Sequence, residues 1–233
     1  MKEWILLFVL SFLPPLIYMV WIRNTERCQR QTWKSILLCF LWGASLAIIA
    51  AIILEIILNI SLVVYFDDTR LIPLLTVVVV APIAEEFAKP LALRIKTVKR
   101  EIAEPEDGLI YGAVAGLGFS ATENLFYGWD ALMEGIAIFL VLISIRSIAG
   151  CLLHASATAW TGYGYGKTLL NHTSLVRVIP YFLLAIFLHG FYNFVVSFEV
   201  LGTLLALGAA FLFVIISIYL VRSKIQTLDE QNC

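Results

Sequence analysis

The sequence predicts an all-α membrane protein, a polytopic bundle of about seven transmembrane helices. Hydrophobic residues make up 61% of its 233 residues, charged residues only 14%, and the mean hydropathy is +0.92. Soluble domains carry about 25% charged residues, so this composition excludes an ordinary water-exposed surface. The apolar residues fall into runs of about 20, the length of a helix that crosses a bilayer. We expect one transmembrane domain over residues 1–233.

The N-terminal part contains three of these apolar runs. The first, 4–22, holds Pro14 and Pro15 in its middle, which predicts a kinked helix because each proline removes a backbone donor. The second covers about 35–60 and contains one acid, Glu55. The third covers about 71–93. All three are long enough to be retained spans.

The C-terminal part contains four more predicted spans. A glycine-rich span at 108–127 includes Gly112 and Gly116, a GxxxG pair that allows a neighbouring helix to approach closely. Residues 132–166 exceed one straight crossing, so we expect a partly interfacial piece before the next span. The last three spans are predicted at about 139–163, 178–198 and 200–221.

The basic residues predict the orientation. Loops 23–34, 94–107 and 167–177 and the C-terminal tail hold 12 of the 16 lysines and arginines. The opposite side holds only Lys2 and Arg70. Because loops rich in lysine and arginine stay in the cytoplasm, we expect the N-terminus outside and the C-terminus inside.

Two adjacent acids and a lysine lie inside the third apolar run. Each charge at mid-helix costs roughly 2.5–3.5 kcal/mol on insertion scales. In a helix, Lys89 is four residues after Glu85 and three after Glu86, so both carboxylates reach it. An ion pair would neutralise one acid and leave the other available. The alternative is that this helix end lies in the headgroup region beside Arg94 and Lys96, with the acids hydrated.

The next three spans also contain polar residues. Each has an ordinary explanation alone: a counter-ion, a headgroup-level acid or a hydrogen-bonded histidine. Four consecutive helices that supply carboxylates, imidazoles and amides instead indicate one polar cavity. Such a set can activate water and stabilise an oxyanion, or bind zinc. The residues of these three spans are Glu123, Asn124, Arg146, His154, His189 and Asn193.

The order and spacing of these residues resemble the PrsW family of intramembrane proteases. The likeness covers roughly residues 80–195 and rests on Glu85-Glu86-x-x-Lys89, Gly116-x-Gly118-Phe119-x-x-x-Glu123-Asn124, His154 in a span that ends in glycines, and His189-x-x-x-Asn193. The resemblance implies a multi-pass cell-membrane enzyme with its catalytic helices at about 71–198. It also implies cleavage of a membrane-anchored protein, an anti-sigma factor in the founding case, and functional roles for Glu85, Glu86 and one or both histidines.

A broader group, the CAAX prenyl endopeptidases and bacteriocin-immunity proteases, is similar at a greater distance. Its EExxxR pattern would need arginine at position 90, which is Pro90 here. Its FxxxH pattern becomes Phe119-x-x-x-Glu123, and only HxxxN is intact. These departures favour the PrsW family and argue against prenylated substrates.

The expected chemistry is hydrolysis of a peptide bond. We expect Glu85 or Glu86 to be the general base, with Glu85 preferred, while Lys89 or Arg146 keeps the other acid ionised. His154 would move a proton or act as a ligand. His189 would stabilise the oxyanion together with Asn193. In the main variant a zinc ion is bound by Glu123, His154 and His189, and the sequence leaves metal-dependent and metal-free mechanisms both open.

Other classes of protein fit less well. An ion- or proton-coupled transporter could use the same residues as a relay, but the sequence shows no repeated halves with matching interrupted helices. A scaffold would not explain so many charges at depth. We expect the bilayer and a single-span protein substrate as partners, and no nucleic acid. One geometric difficulty is that a rise of 1.5 Å per residue puts Glu86 about 12 Å from the cytoplasmic end of its span and Glu123 near the outer end of the next.

Overall fold

The protein is entirely helical in the part that the structure describes. This computed structural model describes residues 2–65, 71–197 and 202–232, and these ranges contain no strand. Arg70, which enters the orientation argument, lies outside them. The helices are α1 (Lys2–Arg23), α2 (Trp33–Trp42), α3 (Ile48–Tyr65), α4 (Leu71–Leu75), α5 (Ala81–Ala88), α6 (Lys96–Glu101), α7 (Pro105–Glu134), α8 (Ile136–Ile145), α9 (Cys151–Leu170), α10 (Ile179–Ser197) and α11 (Thr203–Asn232).

Six helical stretches are long and apolar enough to cross a membrane. They are Lys2–Arg23, Trp33–Val64, Leu71–Arg94, Ile136–Leu170, Leu175–Ser197 and Thr203–Asn232. The predicted all-α polytopic bundle is therefore confirmed, and about seven spans is close. The remaining predicted span, 108–127, lies inside α7. The orientation of the termini stays a prediction.

Helix α7 is the centre of the bundle. It contacts α1, α2, α8, α9 and α11, and residues 106–121 are buried without a break. Because its neighbours cover it, α7 does not need the apolar surface that a lipid-facing helix needs. Its 30 residues span about 45 Å at 1.5 Å per residue. Glu104 caps its first turn in a capping box with Asp107.

Helices α7 and α9 approach each other closely at the predicted glycine pair. A Cβ atom on Gly112 would lie 2.5 Å from the carbonyl oxygen of Thr158, and one on Gly116 would overlap the carbonyl of His154. Side chains at these positions would push the helices apart. The close approach predicted from GxxxG is therefore present, and it sets His154 directly against α7.

The region after α7 differs from the prediction of an interfacial piece followed by a shorter span. Helix α7 continues to Glu134, and Gly135 then breaks the chain with a φ of 146°. From there Ile136–Leu170 forms one helical stretch of 35 residues. A π-helical turn at Arg146–Gly150 joins α8 to α9. The chain after Gly135 is therefore one long helical stretch instead of a short piece and a separate span, and the interfacial position of its first residues stays a prediction.

Two further π-helical turns interrupt the long stretches, at Gly43–Ala47 and Thr76–Val80. Such turns insert one residue into an α-helix and are frequent at functional sites. The turn at Thr76–Val80 lies directly before α5, and the turn at Arg146–Gly150 lies directly before α9. Both therefore precede a helix that carries a predicted site residue.

Candidate functional site

The acids and the lysine of the third apolar run lie inside the bundle. Helix α5 carries Glu85 and Glu86, and Lys89 opens the 3₁₀ turn Lys89–Arg94 that follows. Glu86 and Lys89 are 0% exposed and Glu85 is 6% exposed. These exposures do not fit the alternative in which the acids are hydrated at headgroup level. Leu93, near the end of the same turn, is also buried, so the protein covers this segment beyond the acids.

Lys89 is the hub of the cluster. Its Nζ donates to Glu85 Oε2 at 2.8 Å, to Glu86 Oε1 at 2.9 Å and to His154 Nδ1 at 2.8 Å. It also lies 4.3 Å from the centre of the Phe119 ring. An ammonium has three protons to donate, and all three are used here. The predicted pairing of the lysine with both acids is present in the structure.

The position of Lys89 fixes the tautomer of His154. An ammonium only donates, so Nδ1 of the imidazole must accept and the ring proton of neutral His154 lies on Nε2. That atom lies 2.7 Å from Glu123 Oε2. His154 therefore bridges the lysine on one side and Glu123 on the other.

Glu86 is enclosed by donors. Lys89 and His189 contact its Oε1, with His189 Nδ1 at 3.0 Å, and Thr158 Oγ1 donates to its Oε2 at 2.8 Å. Because the carboxylate binds the Nδ1 proton of His189, Nε2 of that ring carries the lone pair and lies 3.9 Å from Glu85 Oε2. Thr158 was not among the predicted site residues, although its spacing of four from His154 places both on one helix face.

Arg146 contacts Glu123 and Asn124, the two polar residues of the cluster on α7. Its Nη2 lies 2.8 Å from Glu123 Oε2 and its Nε donates to Asn124 Oδ1 at 2.9 Å. The guanidinium also stacks 4.0 Å from the Tyr127 ring centre. The predicted use of Arg146 as a counter-ion is present, and its partner is Glu123. The counting of residues along the spans separates Glu86 from Glu123 in depth. In the structure His154 lies between Lys89 and Glu123, so Glu123 is still part of the cluster.

Asn193 contacts a different group from the one its sequence pattern suggests. Its Nδ2 donates to the carbonyl of Val77 at 2.9 Å, inside the π-helical turn before α5. A π turn leaves carbonyl groups without their usual helical donors, and this amide satisfies one. Asn193 also lines the cavity that His189 faces. It therefore ties α10 to the helix that carries the acids.

A cavity of about 540 Å³ lies in front of the cluster. Glu85 and the two histidines line it together with Glu123, whereas Glu86 and Lys89 lie behind them and are absent from its lining. Residues of α3, α7, α8, α9, α10 and α11 complete the wall. The two adjacent acids thus differ: Glu85 lines this cavity, whereas Glu86 is fully buried and lines a second cavity with Phe87 and Pro90.

Comparison with known proteins identifies the family. A family model described as PrsW family intramembrane metalloprotease matches residues 31–221. The chain belongs to the PrsW family. It is 27% identical to protease PrsW of Clostridioides difficile (strain 630) over 197 residues, which cover 83% of this chain and 80% of that protein. It is 32% identical to protease PrsW of Geobacillus kaustophilus (strain HTA426) over 121 residues, 48% of each chain. No solved structure matches the chain.

Membership of the PrsW family confirms the resemblance seen in the sequence. It makes the protein a multi-pass protein of a cell membrane and a membrane protease. It also favours the protease over the transporter as an explanation of the buried charges.

The PrsW family is described as a metalloprotease family, and the structure contains a group of residues that could hold a metal ion. Glu85, His154 and His189 each offer one ligand atom, and these atoms lie within 4.8 Å of one another. The sequence hypothesis used Glu123 in place of Glu85. A carboxylate and two imidazoles with an open fourth position fit catalytic zinc. Glu86 orients His189 in the way that carboxylates behind zinc-binding histidines do, so the residues present fit the ion.

Proposed function

We propose that this PrsW-family protease hydrolyses a peptide bond of a membrane-anchored protein, with Glu85 as the general base. One observation carries the proposal: of the two adjacent acids, Glu85 alone lines the cavity. Its Oε2 accepts from Lys89, and within the described residues its Oε1 has no hydrogen-bond partner. That oxygen can accept a proton from a water in the cavity. The carboxylate is held in place and still has a free basic atom.

Glu86 then acts as a positioning residue. It holds Lys89 on one side and the Nδ1 proton of His189 on the other, and no part of it reaches the cavity. Its negative charge offsets that of the Lys89 ammonium, which in turn donates to Glu85. Without this charge, Lys89 and His189 would each lose an ionised acceptor.

The histidines supply the remaining groups. His189 presents Nε2 to the cavity. A ring that has taken up a proton from solvent before the substrate binds donates its Nε2–H to the oxyanion that forms when water adds to the carbonyl, and keeps this proton when the oxyanion collapses. Asn193 supports its helix at Val77. His154 lies between Lys89 and Glu123 and can move a proton along that line. Glu85 takes the proton of the attacking water and returns it to the leaving amine, so that no net proton is consumed.

A divalent ion fits the same residues. We propose Glu85, His154 and His189 as the residues that would hold it, in place of the set with Glu123. When bound, zinc would polarise a carbonyl and make a bound water more acidic. Lys89 now contacts two of these three residues at 2.8 Å, so binding of an ion requires the ammonium to move away.

The test is cleavage of a single-span, anti-sigma-factor-like substrate by purified protein in liposomes, with and without a chelator. Glu85→Gln, Glu86→Gln, His154→Ala and His189→Ala are compared with Glu134→Gln, a matched loss of one acid at an exposed position. We expect the first four to lose activity and the control to keep it. Inactivation by chelator that zinc reverses would establish the metal. Full activity in all four variants would refute the proposed site, and solute flux without cleavage would favour the transporter.

A further inference from the structure

Glu55 is an acid in the catalytic cavity that the proposed mechanism does not use. It lies on α3, whose residues Ile48, Ala51, Ile52 and Glu55 all line the cavity. Their spacing of three and four residues places them on one face of the helix. Glu55 is half-buried, so its carboxylate belongs to the cavity wall.

The other acids that line this cavity have cationic partners. Glu85 accepts from Lys89 at 2.8 Å, and Glu123 pairs with Arg146 at 2.8 Å. Within the described ranges, Glu55 forms no hydrogen bond and no ion pair. The polar residue one turn further along α3, Asn59, is already bound to Thr76 at 2.7 Å. Among the residues that the structure describes, the cavity therefore has one carboxylate without a cationic partner.

An unpaired carboxylate at this depth attracts a cation. Opposite charges attract each other more strongly in a partly buried cavity than in bulk water, because the effective dielectric constant is lower there. The wall of the cavity that contains Glu55 also has apolar side chains, among them Ile52, Val77 and Leu207. Lysine and arginine side chains combine a long apolar stem with a charged end, and so match an apolar wall that ends in a carboxylate.

We propose that Glu55 forms a subsite for a basic side chain of the substrate. The inference rests on the proposed protease function and names its substrate class: membrane-anchored segments with a lysine or arginine close to the scissile bond. The same cavity joins Glu55 to Glu85, so one bound segment can contact both residues. Glu55 acts on substrate choice and takes no part in the bond-breaking step.

A charge-exchange experiment tests this subsite. Single-span peptides carry Lys, Gln or Glu at successive positions around the cleavage site, and kcat/KM is measured in liposomes. At one position the wild type should prefer Lys over Gln about tenfold, which corresponds to ~1.4 kcal/mol. Glu55→Gln should bring this ratio close to one, mainly through KM, and Glu55→Lys should reverse it in favour of Glu. Glu134→Gln removes an acid outside the cavity and should keep the wild-type ratio.

A wild type without any preference, or a preference that persists in Glu55→Gln, would overturn the subsite while the protease function stands. If the wild type cleaves none of the peptides, the protease function fails instead. Binding of fluorescent Lys and Gln peptides to wild type and to Glu55→Gln in nanodiscs then decides the subsite separately. A Lys preference that disappears in Glu55→Gln supports it, and equal binding of both peptides to the wild type refutes it.

Discussion

Lys89 shows at the level of one residue how a charge is kept inside a membrane protein. Its ammonium is completely buried, and three acceptors from two helices surround it. The two carboxylates of Glu85 and Glu86 are stabilised only while the Lys89 ammonium is present, because both accept from it. Removing one partner from such a buried group leaves charge without compensation, which costs about 3–5 kcal/mol.

We therefore expect Lys89→Met to lower the free energy of unfolding by about 3 kcal/mol. The double variant Lys89→Met/Glu86→Gln should recover part of this loss, since it removes one of the uncompensated charges. Thermal unfolding in detergent, followed by tryptophan fluorescence, measures both. A single variant as stable as the wild type would show that the carboxylates do not need the lysine.

The two adjacent acids should respond differently to the same substitution. Glu85→Gln should lower kcat by about 10²–10⁴-fold, the range for loss of a general base, with little change in melting temperature. Glu86→Gln should lower the melting temperature as well, because Thr158 and His189 lose an ionised acceptor. Parallel kinetics and melting curves separate the roles. Equal melting temperatures in both variants would contradict the positioning role of Glu86.

At the scale of the helices, the contact between α7 and α9 determines where His154 lies. Gly116 faces the His154 carbonyl with no room for a Cβ atom. A side chain there must separate the helices and carry the imidazole away from Lys89. The glycine thus controls the site without touching any reacting group.

Gly116→Val should consequently abolish cleavage and destabilise the protein by about 1–3 kcal/mol, the usual range for overpacking. Gly208→Ala is the matched control, because that helical glycine has nothing within 4 Å of a Cβ atom. It should be neutral or stabilising by up to ~1 kcal/mol. Activity and melting temperature of both variants provide the check, and an active Gly116→Val protein would mean that the helices can part without moving His154.

At the scale of the whole molecule, a polar cluster ties together segments far apart in sequence. Asp229 of α11 accepts from the backbone N–H groups of Arg27 and Cys28, at 2.9 and 3.1 Å. Gln31 donates to Glu26 and, at 2.8 Å, to Asp107 of α7. Neighbouring acids therefore connect three segments by hydrogen bonds: the loop after α1, the start of α7 and the end of α11.

This cluster predicts a pH dependence of stability. Burial, together with the neighbouring Asp107, raises the pKa of Glu26 from 4.5 to about 7, and burial also raises the pKa of Glu106 to about 7. The folded protein then keeps protons that the unfolded chain releases between pH 4.5 and 7. Since the unfolded state binds fewer protons in that window, stability falls as the pH rises through it and levels off above pH 7.

Melting temperatures measured from pH 5 to 8 should therefore fall with pH, and Glu26→Gln should flatten the curve. Glu230→Gln, which removes an exposed acid next to Asp229, should leave the slope as it is. A melting temperature that rises over this range, or an unchanged slope in Glu26→Gln, would contradict the raised pKa.

Much of this architecture could be predicted from the sequence, because the length of an apolar run limits what a chain can do in a bilayer. The gathering of Glu85, His154 and His189 also followed from four consecutive polar helices. Which acid faces the cavity could not be predicted, since residues 85 and 86 differ by only 100° around a helix. The π-helical turns were missed as well, because a helical period of 3.6 assumes a regular ladder of hydrogen bonds.

Glu123 illustrates the same limit for side-chain partners. Composition alone makes it as good a ligand candidate as Glu85, and both lie on helices that line the cavity. What distinguishes Glu123 from Glu85 is its partners, since Glu123 contacts Arg146 and the Nε2 atom of His154. Those contacts depend on how α7, α8 and α9 pack, which no local pattern in the sequence records.

The contacts of His154 with Lys89 and Glu123 fix the orientation of its imidazole ring. Lys89 donates to Nδ1, and the ring proton at Nε2 lies on the side of Glu123. A flip of the ring by 180° would put carbon atoms in the places of both nitrogens and lose both contacts. The neutral imidazole is therefore held in one rotamer as well as in one tautomer.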